Sequence, residues 1–167
     1  MLSIRVARAD EAAVVSSVLL EADAWLRARG QSLWEPAQLT ASALRAEVEV
    51  GKYVVCSEGD LVAGVARVTE DDLTFWPDAL GAEAFYVHRL AVRRSHAGKG
   101  VSLALLDWSG ERAAASGRRW LRLDCVAGRA RLRAFYERCG FVLHSERVVG
   151  PYEVARYERT AAPAAQR

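Results

Sequence analysis

Leu2, Ile4 and Val6 alternate with Ser3, Arg5 and Ala7, the period of a half-buried strand, and Asp10 then stands where a helix N-cap belongs. Val15, Val18, Leu19, Ala22 and Leu26 keep a helical stripe until Gly30, the expected C′ residue. A shorter helix is predicted from about Thr40 to Val50, with Leu44 and Val48 on one face and Gly51 as its stop. Tyr53 to Cys56 and Leu61 to Val68 are β-rich runs joined by Glu58-Gly59-Asp60, which reads as the tight connection of an antiparallel hairpin. Asp71 to Gly81, containing Phe75, Trp76 and Pro77, reads as an irregular loop.

A strand over Ala84 to Val92 leads through a glycine-containing turn, Ser95 to Gly100, into a helix begun by Val101, Ala104, Leu105 and Trp108 and ending near Gly117. Trp120 to Cys125 supplies another strand. Leu132, Phe135, Tyr136 and Cys139 then fall at i, i+3, i+4 and i+7 of a helix closed by Gly140. Strands near Phe141 to His144 and Pro151 to Arg159 complete one domain over residues 1–160, and residues 161–167 lack periodicity and read as a frayed tail.

The chain's 167 residues suffice for one sizeable core, and its 51% hydrophobic and 26% charged residues exclude the disordered and collagen-like classes. The formal charge of +2 is far below what phosphate-driven nucleic-acid binding needs, so a nucleic-acid partner is not expected. Cys56, Cys125 and Cys139 are odd in number with no CxxC spacing, which argues against a disulfide framework and a zinc site, so no metal is expected. A reducing cytoplasm fits. Neither a signal-peptide core nor a membrane-length apolar run is present in the sequence.

The chemistry concentrates in Val92-Arg93-Arg94-Ser95-His96-Ala97-Gly98-Lys99-Gly100-Val101-Ser102. Two glycines and small neighbours let successive backbone amides converge at a helix start, which binds anions, and Arg93, Arg94, His96 and Lys99 add cations. The turn is neither GxxxxGK[ST] nor GxGxxG, so nucleoside triphosphate binding is disfavoured.

Arg89-Leu90-Ala91-Val92, this turn, the helix with Leu103, Leu105 and Leu106, and the later Leu132-Arg133-Ala134-Phe135-Tyr136-Glu137-Arg138-Cys139-Gly140-Phe141 together resemble the GNAT superfamily of acetyl-CoA-dependent N-acetyltransferases. The resemblance covers Val87 to Phe141 by motif and the earlier half by element order. It implies an α/β (α+β) fold, a central mixed, mostly antiparallel sheet flanked by about four helices. It also implies acetyl-CoA as co-substrate, with the CoA pyrophosphate on the turn from Ala97 to Ser102 and the pantetheine arm along Leu90, Ala91 and Val92. Three positions depart from the family: Ala97 replaces a Gln or Arg, Ser102 a Gly or Ala, and Arg129 a common Asn. His96 or Arg94 is expected to supply the cofactor-facing side chain that Ala97 does not.

A lysine-like amine, with a reference pKa of about 10.4, is mostly protonated at neutrality, so transfer to it needs a proton acceptor. Glu83 and His88 are the candidates by position, directly or through a water. A backbone N–H near Leu90 is the expected oxyanion donor. Tyr136 matches the family's tyrosine and is the expected acid for the departing thiolate, against the plainer reading that it packs the helix onto the sheet. Trp25, Trp34, Phe75 and Trp76 are candidate walls of an acceptor pocket, or ordinary core. Cys125 reads as inert packing. The acceptor is a small-molecule or protein amine, a homodimer is left open by the resemblance, and the rival reading is a non-catalytic acyl-CoA-binding module.

Overall fold

The computed structural model describes residues 1–32, 34–79 and 81–162; residues 163–167 of the expected tail lie outside them. Among the described residues, seven strands run in the order β1-β2-β3-β4-β5-β7-β6. They are β1 (Leu2–Val6), β2 (Tyr53–Glu58), β3 (Leu61–Thr69), β4 (Ala84–Val92), β5 (Trp120–Val126), β6 (Val142–Val149) and β7 (Tyr152–Thr160). The helices are α1 (Ala12–Arg27), α2 (Ala41–Glu49), α3 (Val101–Ala115) and α4 (Ala130–Arg138). The elements are those expected from the periodicities, in the mixed α/β architecture that the resemblance implies, with two short 3-10 turns added at Pro36–Leu39 and Arg94–His96. The chain divides into two compact units, Met1–Val68 with Arg89–Leu106, and Thr69–His88 with Asp107–Arg167.

In the first unit, β1 and β2 pair antiparallel from Leu2↔Glu58 to Val6↔Val54, and β2 pairs antiparallel with β3 across the expected hairpin. Val15, Val18 and Leu19 of α1 pack with Leu44 and Val48 of α2 over Tyr53, Val55, Val62 and Val65. Each such side chain contributes roughly 1.5–3 kcal/mol of burial. Thr40 caps α2 by accepting the Ala43 N–H at 3.3 Å. The start of α1 differs from expectation. Asp10 is exposed, and Glu11 occupies the N-cap position without capping. A tertiary pull displaces the local rule here: the buried Glu11 carboxylate accepts from Arg5 Nη1 and Nη2, each at 2.7 Å, and from the Arg8 backbone N–H at 2.7 Å.

Gly64 of β3 is where α3 presses closest. A Cβ there would meet Val101 Cγ1 at 2.5 Å and the Ala91 carbonyl oxygen at 3.1 Å, so only glycine permits this approach.

In the second unit, β5 pairs antiparallel with β7 from Trp120↔Thr160 to Val126↔Val154, and β7 with β6. β4 pairs parallel with β5 at Ala84↔Trp120, Phe85↔Leu121 and Tyr86↔Arg122. His88 and Asp124 stand two residues beyond the last of these pairs, on the same face in that register. The loop after β3 is irregular, as expected. Asp72 Oδ1 folds it by accepting the Thr74 and Phe75 N–H groups at 3.1 and 2.9 Å. Trp76 is 2% exposed and forms a core cluster with Ala84 and Tyr86. It packs in the interior between the Arg122 and Arg156 guanidiniums at 5.0 and 4.7 Å from its ring, as the alternative reading of ordinary core has it.

Candidate active site

β4 ends in a turn anchored from several sides. The Arg93 N–H donates to the Ala63 carbonyl at 2.8 Å, and its guanidinium reaches the Val62 carbonyl, Glu21 and Ser17 at 2.9, 2.7 and 2.7 Å. The Arg94 N–H donates to Glu21 Oε1 at 2.8 Å, and that bond, with Arg93, holds the Glu21 carboxyl below its ordinary range. A 3-10 turn, Arg94–His96, then leads through Gly98 at φ +77° and Gly100 at φ +81° into α3. A Cβ at either glycine would meet nothing within 4 Å. What glycine supplies is therefore the left-handed backbone, and the space it faces stays open.

The Ala104 N–H donates to the Gly100 carbonyl at 2.9 Å, so the amides of Val101, Ser102 and Leu103 form the first turn, where no i−4 carbonyl lies within the helix. Together with the helix's partial positive charge, this donor set fits a diphosphate. Ala97, Gly98, Lys99 and Gly100 are exposed or at the rim, and Ser102 is half-buried.

His96, one of the two residues expected to stand in for Ala97, is turned into the loop's own structure. Its ring is buried, with Nε2 3.1 Å from Glu58 Oε2 and Nδ1 2.9 Å from Ser95 Oγ, so both nitrogens serve the turn's own structure. Arg94 is also engaged. Its guanidinium lies 4.0 Å over the Trp25 ring, which Arg29 also contacts at 4.0 Å. Trp25 thus stacks with arginines, and Trp34 packs against the core of the first unit. Along β4, Leu90 and Val92 are half-buried and Ala91 is buried. Arg89, just before them, has φ +49°, a left-handed conformation inside a strand that no sequence pattern announced, and its guanidinium donates to the Tyr53 hydroxyl at 3.1 Å.

The second unit gathers groups that sequence spacing did not connect. His88 Nε2 lies 2.9 Å from Thr69 Oγ1, whose hydroxyl donates to the Asp71 carbonyl at 2.7 Å. Thr69 has spent its proton, so His88 Nε2 is the donor in this contact. His88 Nδ1 lies 4.0 Å from Asp72 Oδ2. Asp124 completes the group: Asp72, His88 and Asp124 each contribute one polar atom within 4.8 Å of the others. Burial and the Asp72 carboxylate push the Asp124 carboxyl up to about 7, against the opposing pull of Arg156. Glu83, the other candidate acceptor, is exposed.

Tyr136 of α4 is buried, its ring 5.5, 5.9 and 6.3 Å from those of Phe135, Phe141 and Tyr157. Burial, with the Cys125 and Asp124 charges, raises its hydroxyl well above the usual tyrosine range, so it holds its proton at neutrality. Arg129 is half-buried at the N-cap of α4 and makes no side-chain capping bond there.

Residues 49–143 match the acetyltransferase (GNAT) domain family. The chain belongs to the GNAT acetyltransferases. It is 30% identical over 138 residues to the "Uncharacterized N-acetyltransferase YesJ" of Bacillus subtilis (strain 168), an alignment spanning 79% of this chain and 77% of that one. A GNAT-family acetyltransferase from Listeria monocytogenes 4b F2365 shares the fold with a TM-score of 0.78 and 18% identity, over 95% of this chain and 94% of its own. The yncA protein of Salmonella typhimurium, solved with its cofactor acetyl-CoA, gives a TM-score of 0.71 at 16% identity, over 100% and 98% of the two chains. PaiA N-acetyltransferase of Thermoplasma acidophilum, in complex with coenzyme A, gives 0.74 at 13% identity, over 96% and 99%. As in other GNAT enzymes, the reaction is acetyl transfer to an amine. Among the described residues no helix is long and apolar enough to cross a membrane.

Proposed function

We propose that this GNAT enzyme moves the acetyl group of acetyl-CoA to a primary amine by direct attack of the amine on the thioester, with no metal. The observation that carries the reading is the turn, where two left-handed glycines open onto the first-turn amides of α3. By the family resemblance, backbone amides from Ala97 to Ser102 hold the diphosphate, and Leu90, Ala91 and Val92 offer main-chain groups to the pantetheine arm. His96 shapes that loop from behind, and Lys99 adds positive charge at its rim.

Tyr136, which keeps its proton at neutrality, is assigned as the acid that protonates the departing thiolate. Trp25, Trp34, Phe75 and Trp76 are the aromatic candidates for the acceptor's walls, and Arg129 borders the cofactor by its match to the family's position. The acceptor is a small-molecule or protein amine. Free Cys56, Cys125 and Cys139 fit a reducing cytoplasm, where we place the reaction.

Calorimetry with coenzyme A, followed by thiol release from acetyl-CoA in the presence of an amine panel, tests the reading. Binding with amine-dependent thiol release is expected. No heat with any coenzyme A derivative would overturn it, and binding without release above background would replace the enzyme with an acyl-CoA-binding module.

A further inference from the structure

Arg89 stands in β4 with φ +49°, a left-handed backbone that a non-glycine residue keeps only where its surroundings hold it, and such residues gather at ligand sites. Arg89, Tyr53, Glu47 and Arg67 all belong to the first unit. Arg89 Nη1 donates to the hydroxyl of the fully buried Tyr53 at 3.1 Å. Burial raises that hydroxyl above the ordinary tyrosine range, against the pull of Arg89, so Tyr53 stays neutral and leaves the guanidinium charge uncompensated. Arg89 Nη2 and Nε make no hydrogen bond with a described residue. The buried side-chain polar atoms without a partner among the described residues are Asp72 Oδ2 and Trp76 Nε1. The two Arg89 nitrogens are not among them, so this edge of a half-buried guanidinium is open to solvent.

The neighbouring carboxylate does not fill that opening. Tyr53 and Arg67 are opposite each other in the pairing of β2 with β3, and Arg67 Nε donates to both Glu47 oxygens at 2.9 Å. Burial pushes the Glu47 carboxyl up, but Arg67, Lys52 and Arg89 together outweigh it, so the group lies below its ordinary value and is ionised at neutrality. Glu47 and Arg67 cancel, Lys52 is exposed, and Arg89 is left with its own positive charge unanswered. A planar guanidinium whose Nε and Nη2 are free presents two parallel N–H groups, the geometry that a carboxylate accepts bidentately. A single fork with a single net charge matches a monoanion, whereas a phosphate dianion would keep a charge without a partner.

Arg89 directly precedes Leu90, Ala91 and Val92, the stretch proposed for the pantetheine arm. We infer that the open edge of the Arg89 guanidinium binds a carboxylate of the acceptor, so that the acetyl group goes to an amine of the amino-acid class. The inference rests on the reading of the turn and of β4 as the acetyl-CoA site. Tyr53 fixes one corner of the guanidinium, and the held backbone of Arg89 fixes its origin, so the fork is set in place before the acceptor arrives. With its carboxylate on Arg89, the acceptor presents its amine beside Leu90. There the lone pair of the neutral amine forms the C–N bond, and the C–S bond breaks with its electrons on sulfur. One amine proton balances the released thiol, so the products are an N-acetyl amino acid and coenzyme A.

The test measures thiol release from acetyl-CoA with L-alanine, 3-aminopropanoate and 6-aminohexanoate, each beside its carboxamide, which keeps the amine and removes the anion. In at least one pair the acid is expected to exceed the carboxamide at least about tenfold in kcat/KM, with the difference mainly in KM. In Arg89→Gln that ratio should fall below about twofold, while coenzyme A affinity stays within about twofold of the original. A second measurement needs neither a variant nor turnover. In the intact chain with coenzyme A present, the Arg89 Nε–H resonance should shift on titration with at least one of the acids and stay in place with its carboxamide. A resonance unmoved by every acid would overturn the carboxylate site. So would the lack of any acid preference in protein that binds coenzyme A and acetylates the carboxamides, an outcome that leaves the acetyl transfer standing. A preference that survives Arg89→Gln would take the site away from Arg89, and O-phosphoethanolamine favoured over 3-aminopropanoate would overturn it in favour of a dianion. A resonance shift with an acid in protein that binds no coenzyme A would support the carboxylate site and sink the reading of the turn.

Discussion

Gly100 has φ +81°, a conformation that a β-branched side chain adopts only under strain. Gly100→Val should therefore cost about 1–3 kcal/mol in the turn and, by disturbing the amides that follow, weaken coenzyme A binding at least tenfold. Calorimetry decides this, and an unchanged affinity would put the diphosphate elsewhere. Tyr136 presents the opposite case, since its ring packing survives substitution by phenylalanine. Tyr136→Phe should lower kcat at least tenfold while leaving coenzyme A affinity within about twofold, because only the proton donor is removed. An unaltered kcat would return Tyr136 to a packing role. Of these two residues the sequence revealed the position. It did not reveal that a hydroxyl surrounded by Phe135, Phe141 and Tyr157 would hold its proton so firmly, because that depends on burial.

Contact between α3 and β3 depends on the absence of one side chain. Gly64→Ala would bring its Cβ to 2.5 Å from Val101 Cγ1, with the Ala91 carbonyl at 3.1 Å leaving no retreat, so a loss of about 1–3 kcal/mol is expected in urea unfolding. The junction of β1 with α1 is electrostatic. The Arg5 guanidinium and the Arg8 N–H lower the Glu11 carboxyl from 4.5 to about 2, so the folded state favours its ionised form. That contribution is complete above the unfolded value and drains away as pH falls from about 4.5 towards about 2. Glu11→Gln should lose about 2 kcal/mol at neutral pH and flatten the stability profile in that acid window, as thermal unfolding across pH would show. The helix boundary at Glu11 eluded sequence reasoning for the same reason. The capping rule looks at neighbours in the chain, whereas the decisive partner, Arg5, reaches Glu11 from β1.

At the scale of the whole chain, the elements were readable because strands and helices write their periods directly into the apolar positions, and the turn was readable because its residues are contiguous. The Asp72, His88 and Asp124 group was not, since three separate segments deliver it and none carries a motif alone. Arg89 illustrates the same limit, for a left-handed φ in a strand leaves no trace in an arginine. Trp76 shows it too: a large aromatic in a loop reads equally as pocket wall or as core, and only its neighbours Ala84 and Tyr86 show how it packs.

The guanidiniums of Arg29 and Arg94, each 4.0 Å from the Trp25 ring, give the chain a native optical reporter. Indole emission responds to the charges held against its face, and Arg94 belongs to the turn proposed to hold the diphosphate. In a chain whose other tryptophans are replaced by phenylalanine, the colour of Trp25 fluorescence should change as coenzyme A is titrated in, letting occupancy be followed without a label.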